Sequence, residues 1–390
     1  MESVNNTPAS NTPANTKSMN NESNAREFSG VEPGNNSSRS QRDHNLDMIK
    51  GISIFLVVLI HYCNYYTKRA IPDASVNYLV ALLYNVLARV SVPLFFMASG
   101  ALAFRKDFDY KKNNRKINRM IMVLIVWNVL YWLWNRFYLG RSLGPNVTTY
   151  LFEPVKGHLW YMYAYIGLLI AGPLIVLLAR HMTPRDENYF LLTWIFICGG
   201  IRTLDCNLDY FGIKTGLEYC VPIIQGTYYL GYYLTGHILY RRLRDHQDAG
   251  APWAEKSIRH PIPTYLLTAA ASLLLCFLCV AFTSIHVGET AKDLFGYSNI
   301  LVMIPSLCLF VVLMRVRIRE NALLTLISRH SFGIYLSHVI FYNIAYRNFD
   351  IRAMDSPLLL PLFTIATFVV SLAFVIITSK IPRLKTLLYG

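Results

Sequence analysis

Charged residues are scarce in this sequence, at 15% of its 390 positions, where typical soluble domains carry about 25%. Hydrophobic residues make up 54%, and long apolar runs recur after residue 48. Each run is close to the roughly 20 residues that a helix needs to cross a hydrocarbon layer of about 30 Å. The scarcity of charge argues against an ordinary soluble protein. The apolar runs predict an all-α, polytopic membrane protein embedded in a lipid bilayer.

Cysteines are also few, and none of the seven has the spacing of a zinc or iron–sulfur site. We therefore expect no metal cofactor. Cys206 and Cys220 fall in one predicted outer loop, where a disulfide can form only in an oxidising compartment. The sequence leaves that pairing open, and the other five cysteines lie in or near predicted helices, as packing residues do.

The first 45 residues contain almost no aliphatic side chains and are rich in Asn, Ser, Thr and Pro. Such a segment cannot bury enough apolar surface to offset its ordering entropy, so we expect a disordered, polar, cytoplasmic tail. It lacks the basic and apolar regions of a signal peptide. We predict three parts: this tail (1–45), a membrane domain (46–380) and a short cytoplasmic tail (381–390).

The apolar runs predict ten membrane spans, of which the fifth and eighth are short. They lie near 48–67, 78–104, 119–139, 159–179, 189–204, 223–240, 263–283, 298–314, 326–346 and 358–379. Loops after even-numbered spans, together with the C-terminus, hold about 20 Lys and Arg, and the opposite loops hold about eight. This positive-inside bias predicts that both termini are cytoplasmic. It also explains the net charge of +14 without a nucleic-acid partner.

The first span, "LDMIKGISIFLVVLIHYCNYY" from Leu46 to Tyr66, carries ionisable residues into the bilayer. On a helix, Lys50 and His61 lie about 20° apart around the axis and about 16.5 Å apart along it. Asn64 and Tyr65 fall near the same stripe. An ionisable residue within a span usually marks a pathway or a site, although an interhelical hydrogen bond is the alternative for His61.

Four stretches together resemble the acyltransferase-3 family of bacterial integral membrane acyltransferases. They are "DMIKGISIFLVVLIH" (47–61), "ARVSVPLFFMASGAL" (88–102), "GHLWYMYAYIGLLIAGPLI" (157–175) and "LISRHSFGIYLSH" (326–338). The resemblance covers residues 45–380. One departure is Lys50, because the family more often has an arginine there, whose planar fork binds a phosphate or carboxylate bidentately.

The resemblance implies an enzyme of the inner (plasma) membrane that moves an acetyl or other short acyl group from cytoplasmic acyl-CoA to a glycan hydroxyl. The acceptor would be a lipid-linked or surface glycan of the cell envelope: a surface polysaccharide, common antigen or lipopolysaccharide. His61 is the candidate general base, since a neutral imidazole can take the hydroxyl proton near pH 7. Direct transfer and an acyl-histidine relay both stay open.

Coenzyme A carries several phosphate charges, so basic residues are the candidates for binding it. The predicted inner faces supply Lys50, Arg105, Lys106, Lys111, Lys112, Arg115, Lys116 and Arg119. Our candidates for binding the donor are Lys50, Arg89, Arg105, Lys106 and Arg119; the alternative for most of the basic residues is that their charges only orient the protein. Arg89 lies within a span, and its alternatives are binding of the acceptor and pairing with a carboxylate.

The remaining candidates are polar or aromatic residues that can contact the substrate. They are Asn64, Tyr65, Ser99, His158, Trp160, Tyr335 and His338. The alternative for Ser99 is tight helix packing, and the alternative for Trp160 is a place in an interfacial aromatic belt. For His158 and His338 the alternative is a structural hydrogen bond. Tyr335 and His338 are three residues apart and share a helix face.

Two other functions compete with acyl transfer. In a glycan exporter or flippase, His61 and Arg89 would line the translocation path; a structural subunit of a polysaccharide assembly complex is the third hypothesis. No internal repeat is apparent, which disfavours transporters built from two related halves. The acceptor sugar, the acyl group and the oligomeric state do not follow from the sequence.

Overall fold

The computed structural model describes residues 42–67, 75–103, 108–141, 153–217, 228–248, 260–349 and 356–390, apart from the side chains of Tyr65 and residues 245–248. This part of the chain is α-helical and contains no strand, which confirms the predicted all-α class. The α-helices are α1 (His44–Thr67), α2 (Val76–Ala88), α3 (Ser91–Ala103), α4 (Tyr110–Leu133), α5 (Trp160–Ile170), α6 (Gly172–His181), α7 (Pro184–Trp194), α8 (Arg202–Tyr210), α9 (Tyr228–Asp248), α10 (Ile262–Val287), α11 (Ile300–Arg315), α12 (Ala322–Asn348), α13 (Leu359–Ser379) and α14 (Pro382–Tyr389).

Each of the ten predicted spans coincides with one of these helices or with a consecutive pair. Within the described residues, seven helical stretches are long and apolar enough to cross a membrane, and the bent pair α5–α6 raises the number to eight. The chain is therefore a polytopic membrane protein. The other two predicted spans correspond to α9 and α12, which have 21 and 27 residues but are more polar. The number ten and the cytoplasmic termini stay predictions.

Internal prolines free a backbone carbonyl in three of the spans, and two of these carbonyls accept a hydrogen bond from a side chain. A proline cannot donate to the carbonyl four residues before it. Pro173 frees the carbonyl of Leu169, which accepts from Asn113 Nδ2 at 2.9 Å, and the α5–α6 pair bends by 60° at this point. Pro305 in α11 frees the carbonyl of Leu301, which accepts from the Ser272 hydroxyl at 3.2 Å.

The third of these prolines, Pro93, lies just after a break between α2 and α3, and this break positions Arg89. Pro93 frees the Arg89 carbonyl, and the helix is interrupted at Arg89 and Val90. Broken helices occur at membrane depth where protein or a cavity surrounds the freed backbone. This break places a guanidinium in the middle of a span.

Helix α1 packs against α2, α3, α11, α12 and α13, and polar contacts hold both of its ends. At its start, Asp43 accepts three hydrogen bonds from Arg244 of α9, and Asp47 accepts one from the Ser328 hydroxyl of α12 at 2.5 Å. Near its end, the buried hydroxyls of Tyr62 and Thr367 lie 2.6 Å apart. Because both ends are tied to neighbouring helices, the polar stripe of α1 has a fixed orientation.

Helices α3 and α9 cross with their backbones in contact at two glycines. A Cβ built on Gly100 would lie 1.8 Å from the Tyr233 carbonyl oxygen, and one built on Gly236 would lie 2.1 Å from that of Met97. Small residues allow membrane helices to approach this closely. The approach brings α3 and α9 together beside the candidate site.

The residues predicted as a short C-terminal tail contain helix α14, which packs against α4. Trp127 Nε1 donates to the Leu388 carbonyl at 2.8 Å, and the hydroxyls of Tyr389 and Thr378 are 2.7 Å apart. The proposed division into two tails and a membrane domain stays a prediction.

The crossing of α3 and α9 generates a prediction about stability. In Gly236→Ala, the added methyl group meets a backbone oxygen that no rotamer change can move, and overpacking of this kind costs about 1–3 kcal/mol or more. We expect a lower melting temperature in detergent, measured by thermal unfolding.

Gly167→Ala is the matched control. Gly167 lies within α5, and a Cβ there would have no heavy atom within 4 Å. Alanine is favoured over glycine in a helix by about 1 kcal/mol, so this variant should be as stable as the wild type or more so. Equal melting temperatures for the two variants would contradict the close crossing.

Candidate active site

A cavity of about 840 Å³ lies among helices α1, α3, α4, α5 and α12, with Arg89 and Tyr297 from adjoining segments. Nine of the predicted site residues line it. They are Lys50, His61, Asn64, Arg89, Ser99, Arg119, His158, Trp160 and Tyr335. The polar stripe of α1 therefore faces this cavity, as the spacing of Lys50, His61 and Asn64 suggests.

Three histidines from three different helical segments meet at the middle of the α1 stripe. The ring centroids of His61 and His338 are 4.9 Å apart, those of His158 and His338 are 5.3 Å apart, and those of His61 and His158 are 6.1 Å apart. We call His61, His158 and His338 the histidine cluster. His61 and His158 line the cavity, whereas His338 is fully buried beside them.

The backbone of α12 fixes the tautomer of His338. Its Nδ1 lies 2.7 Å from the Tyr335 carbonyl oxygen and 3.1 Å from that of Ile334. A ring nitrogen that faces carbonyl oxygens must be the one that carries hydrogen, so Nε2 bears a lone pair in the neutral ring. That buried Nε2 has no hydrogen-bond partner among the described residues. His338 thus presents an unsatisfied acceptor within the histidine cluster.

Tyr335 connects α12 to the segment that carries His158. Its hydroxyl donates to the His158 carbonyl at 2.6 Å, and the two rings are 5.6 Å apart. This bond fixes the backbone that places His158 against the other two histidines. Tyr335 therefore both lines the cavity and supports its wall.

Four cations line the end of the cavity near the start of α1: Lys50, Lys116, Arg119 and Arg329. We call them the cationic mouth. Lys116 donates to the Tyr165 hydroxyl at 2.7 Å, and Arg119 and Arg329 are exposed. Within the described part of the chain, Lys116, Arg119 and Arg329 make no ion pair with a carboxylate. A concentration of positive charge at a cavity entrance attracts anionic ligands.

The other end of the α1 stripe carries a second, separate cation. Arg89 Nη2 donates to Asn64 Oδ1 at 2.9 Å, and its guanidinium carbon lies 4.3 Å from the Phe295 ring centroid. Asn64 is fourteen residues after Lys50, which corresponds to about 21 Å along a helix axis. The structure therefore separates Arg89 from Lys50 and Arg119, with which the sequence grouped it.

Aromatic rings form the wall near this second cation. Trp160 stacks on Tyr229 with centroids 5.0 Å apart and planes at 27°, and lies 6.0 Å from Tyr297. Trp160 and Tyr297 both line the cavity. Trp160 thus contributes to the cavity as well as to the end of a span.

Some predictions fall on residues that cannot be compared with the structure. Arg105 and Lys106 lie outside the described residues, as does the side chain of Tyr65. Cys206 is buried, but Cys220 also lies outside them, so their pairing stays a hypothesis.

The structure adds Arg329 and Lys156 to the cavity wall, and the sequence analysis missed both. Arg329 is part of the quoted segment "LISRHSFGIYLSH", nine residues before His338. The signal that could have identified Arg329 is its position near the membrane face at which Lys50 is predicted. Lys156 lies two residues before His158, and nothing comparable in the sequence identifies it.

The histidine cluster does not have the arrangement of a metal site. In the residues that the structure describes, no group of three or more His, Cys, Asp or Glu side chains is placed to hold a metal ion. The predicted lack of a metal cofactor stays a prediction. Imidazole rings in such a cluster can take up and release protons near neutral pH.

Comparisons with known proteins give one match. A family model described as an acyltransferase domain, Acyl_transf_3, matches residues 43–379. No curated protein and no solved structure matches significantly. The matched range contains the whole candidate site.

Lys156 generates a pH-dependent prediction. Burial, with the charge of Arg141 as a second cause, lowers the pKa of Lys156 from 10.5 to about 8. Between pH 8 and 10.5 the unfolded chain binds more protons at Lys156 than the folded chain does. The contribution of Lys156 to the free energy of unfolding therefore rises with pH in this window. We expect the melting temperature of the wild type, measured relative to that of Lys156→Met, to rise from pH 7.5 to pH 10.

Lys156→Arg is the control, because an arginine stays charged throughout this range. The difference in melting temperature between Lys156→Arg and Lys156→Met should not change with pH. A constant difference between wild type and Lys156→Met would show that the amine is fully solvated.

Proposed function

The chain belongs to the acyltransferase-3 family, and we propose that this membrane acyltransferase moves a short acyl group, in the simplest case acetyl, from cytoplasmic acyl-CoA to a hydroxyl of a cell-envelope glycan. The observation that carries the proposal is one continuous cavity. It joins the cationic mouth to His61 and His158 and continues to Arg89 and Asn64. Such a cavity can admit an anionic donor from one end and an alcohol from the other.

The cationic mouth suits the phosphate groups of coenzyme A. Three of its cations lack a carboxylate partner within the described residues, and Arg119 and Arg329 offer forks that bind phosphate oxygens in pairs. From Lys50 to His61 the helix rises about 16.5 Å. In our proposal the extended pantetheine arm follows this stripe, so that its thioester reaches the histidine cluster.

The reaction then needs one base and one acid, and His61 supplies both. The glycan hydroxyl oxygen attacks the thioester carbonyl carbon while His61 takes the hydroxyl proton. The carbon–sulfur bond breaks, and the protonated imidazole returns the proton to the departing thiolate. General acid–base catalysis of this kind contributes about 10²–10⁴-fold to a rate. An acyl-histidine relay through the same residue is the alternative route.

We assign His338 a positioning role behind His61. Its Nε2 lone pair is buried and without a partner among the described residues, and its ring centroid is 4.9 Å from that of His61. An N–H of His61 directed at this acceptor would leave the second nitrogen of His61 as the base. Partners of this kind set the tautomer of catalytic and metal-bound histidines.

The cellular setting in the proposal is a bacterial inner membrane with both termini in the cytoplasm. The positive-inside bias supports that orientation. We propose O-acetyl transfer, because the sequence resembles a member of the family that acetylates enterobacterial common antigen. That glycan and other surface polysaccharides are therefore the first acceptors to examine.

Removal of the base is the first test. His61→Ala should lower the rate of labelled acetyl transfer from acetyl-CoA to membrane glycan by about 10²–10⁴-fold, with normal expression and melting temperature. A decrease of less than about threefold would exclude His61 as the base. Measured in the same cells, lost glycan export with normal acetylation per glycan would instead favour an exporter.

Removal of one charge from the cationic mouth is the second test. Arg329→Gln should raise the KM for acetyl-CoA by about tenfold, since a hydrogen bond to a charged group contributes about 1.5–3 kcal/mol, and should leave kcat nearly unchanged. Steady-state kinetics on purified protein with acetyl-CoA varied give both constants. Arg329 touches no described carboxylate, so its loss should not unfold the protein.

Arg319→Gln is the matched control for Arg329→Gln. Arg319 is an exposed arginine that precedes α12 and does not line the cavity. We expect the KM of the Arg319→Gln variant for acetyl-CoA to equal that of the wild type. Similar increases in both variants would indicate a general surface-charge effect and no phosphate site.

A further inference from the structure

The segment around Arg89 is built as an anion site, and the proposed function has not yet used it. Arg89 lines the cavity, and its Nε is buried without a hydrogen-bond partner among the described residues. No described carboxylate forms an ion pair with it. A buried cation without a counter-charge is costly, and within a membrane span such a residue usually belongs to a site.

The Tyr297 hydroxyl hydrogen-bonds to Arg89, and the amide of Asn64 adds a donor to this site. Asn64 Oδ1 accepts from both Arg89 Nη2, at 2.9 Å, and Asn85 Nδ2, at 3.1 Å. Two donors on this atom identify it as the amide oxygen. The NH₂ group of Asn64, which lines the cavity, therefore remains available as a donor. Phe295 and Tyr297 cover the guanidinium at 4.3 and 5.8 Å and hold it through cation–π attraction.

A site made of a guanidinium and an amide NH₂ selects an oxyanion. Neutral sugars present hydroxyls, which need acceptors as well as donors, whereas a carboxylate or phosphoryl group only accepts. The hydrogen bonds of a guanidinium to such a group are charge-assisted and can be bidentate. The donors at this end of the cavity therefore favour a ligand with negative charge.

The position of this site relative to the histidine cluster decides which substrate it serves. Asn64 is three residues after His61 on α1, about 4.5 Å along the axis, while the cationic mouth begins about 21 Å from Asn64 at Lys50. An anion held by Arg89 and Asn64 therefore lies beside the reacting hydroxyl and far from the phosphates of the donor.

We infer that the acceptor is an anionic glycan, in which the residue that is acylated, or the residue next to it, carries a carboxylate or phosphoryl group that Arg89 and Asn64 bind. This inference rests on the proposed function and specifies its substrate class. The anion places the hydroxyl against His61, so Arg89 acts as an acceptor-binding residue and not as a donor-binding one.

Product analysis is the direct test. Membranes that contain the wild-type protein are incubated with deuterated acetyl-CoA, and fragment mass spectrometry identifies the sugar residue that gains the label. We expect that residue, or its neighbour, to carry a negative charge. Loss of the charge on phosphatase treatment identifies a phosphoryl group, and its retention identifies a carboxylate; both results support the inference. Label on a neutral residue with neutral neighbours overturns it.

Kinetics of two Arg89 variants form the second arm, with the acceptor glycan isolated from the same membranes. Arg89→Gln should raise the KM for this acceptor by about tenfold or more, and Arg89→Lys by less, because it keeps the charge but not the fork. The KM for acetyl-CoA should change less than about twofold. The reverse pattern would return Arg89 to the donor site and overturn the inference.

The two arms separate this inference from the proposed function. If the wild type transfers no label from acetyl-CoA, both fail. If label is transferred to a neutral glycan, only the inference fails. Should Arg89→Gln not fold, the product analysis on the wild type still decides, since it needs no variant. Arg319→Gln again serves as the charge control and should show wild-type KM values for both substrates.

Discussion

The enclosure of the polar stripe of α1 is the constraint on which the rest of the structure depends. Lys50, His61 and Asn64 follow one another along a helix that crosses the bilayer, where contact with lipid would cost several kcal/mol for each charged or unsatisfied polar group. Five helices pack against α1, and the contacts of Asp43, Asp47 and Tyr62 hold its ends. The stripe therefore faces a protein-lined cavity, which is also the candidate active site.

The positions of the cationic residues along this cavity separate the proposed binding regions of donor and acceptor. The cationic mouth and Arg89 lie at opposite ends of the α1 stripe, and the histidine cluster lies between them. A donor and an acceptor that each carry negative charge would repel one another in a common site, because charges interact strongly in a low dielectric. Two separate cationic regions would let both proposed substrates bind, with only their reacting atoms meeting at His61.

Helix breaks make this arrangement possible within a membrane. Pro93 follows the interruption of the second span at Arg89, which places a guanidinium in the middle of that span. Pro173 lies at the bend between α5 and α6, after the segment that carries His158 and Trp160. In the second case Asn113 satisfies the freed carbonyl, as membrane helices require. The breaks shape the cavity without leaving buried backbone groups unpaired at Leu169 or Leu301.

The sequence by itself determined the all-α membrane fold, the positions of the helices and the orientation of Lys50 and His61, because the span length and the 3.6-residue period are local properties of one helix. Only the tertiary structure decided which side chains from different helices meet. His158 and His338 join His61, Arg329 joins the cationic mouth, and Arg89 lies with Asn64, well away from Lys50. Such contacts depend on how helices pack and where prolines bend them, and no periodicity within one segment contains that information.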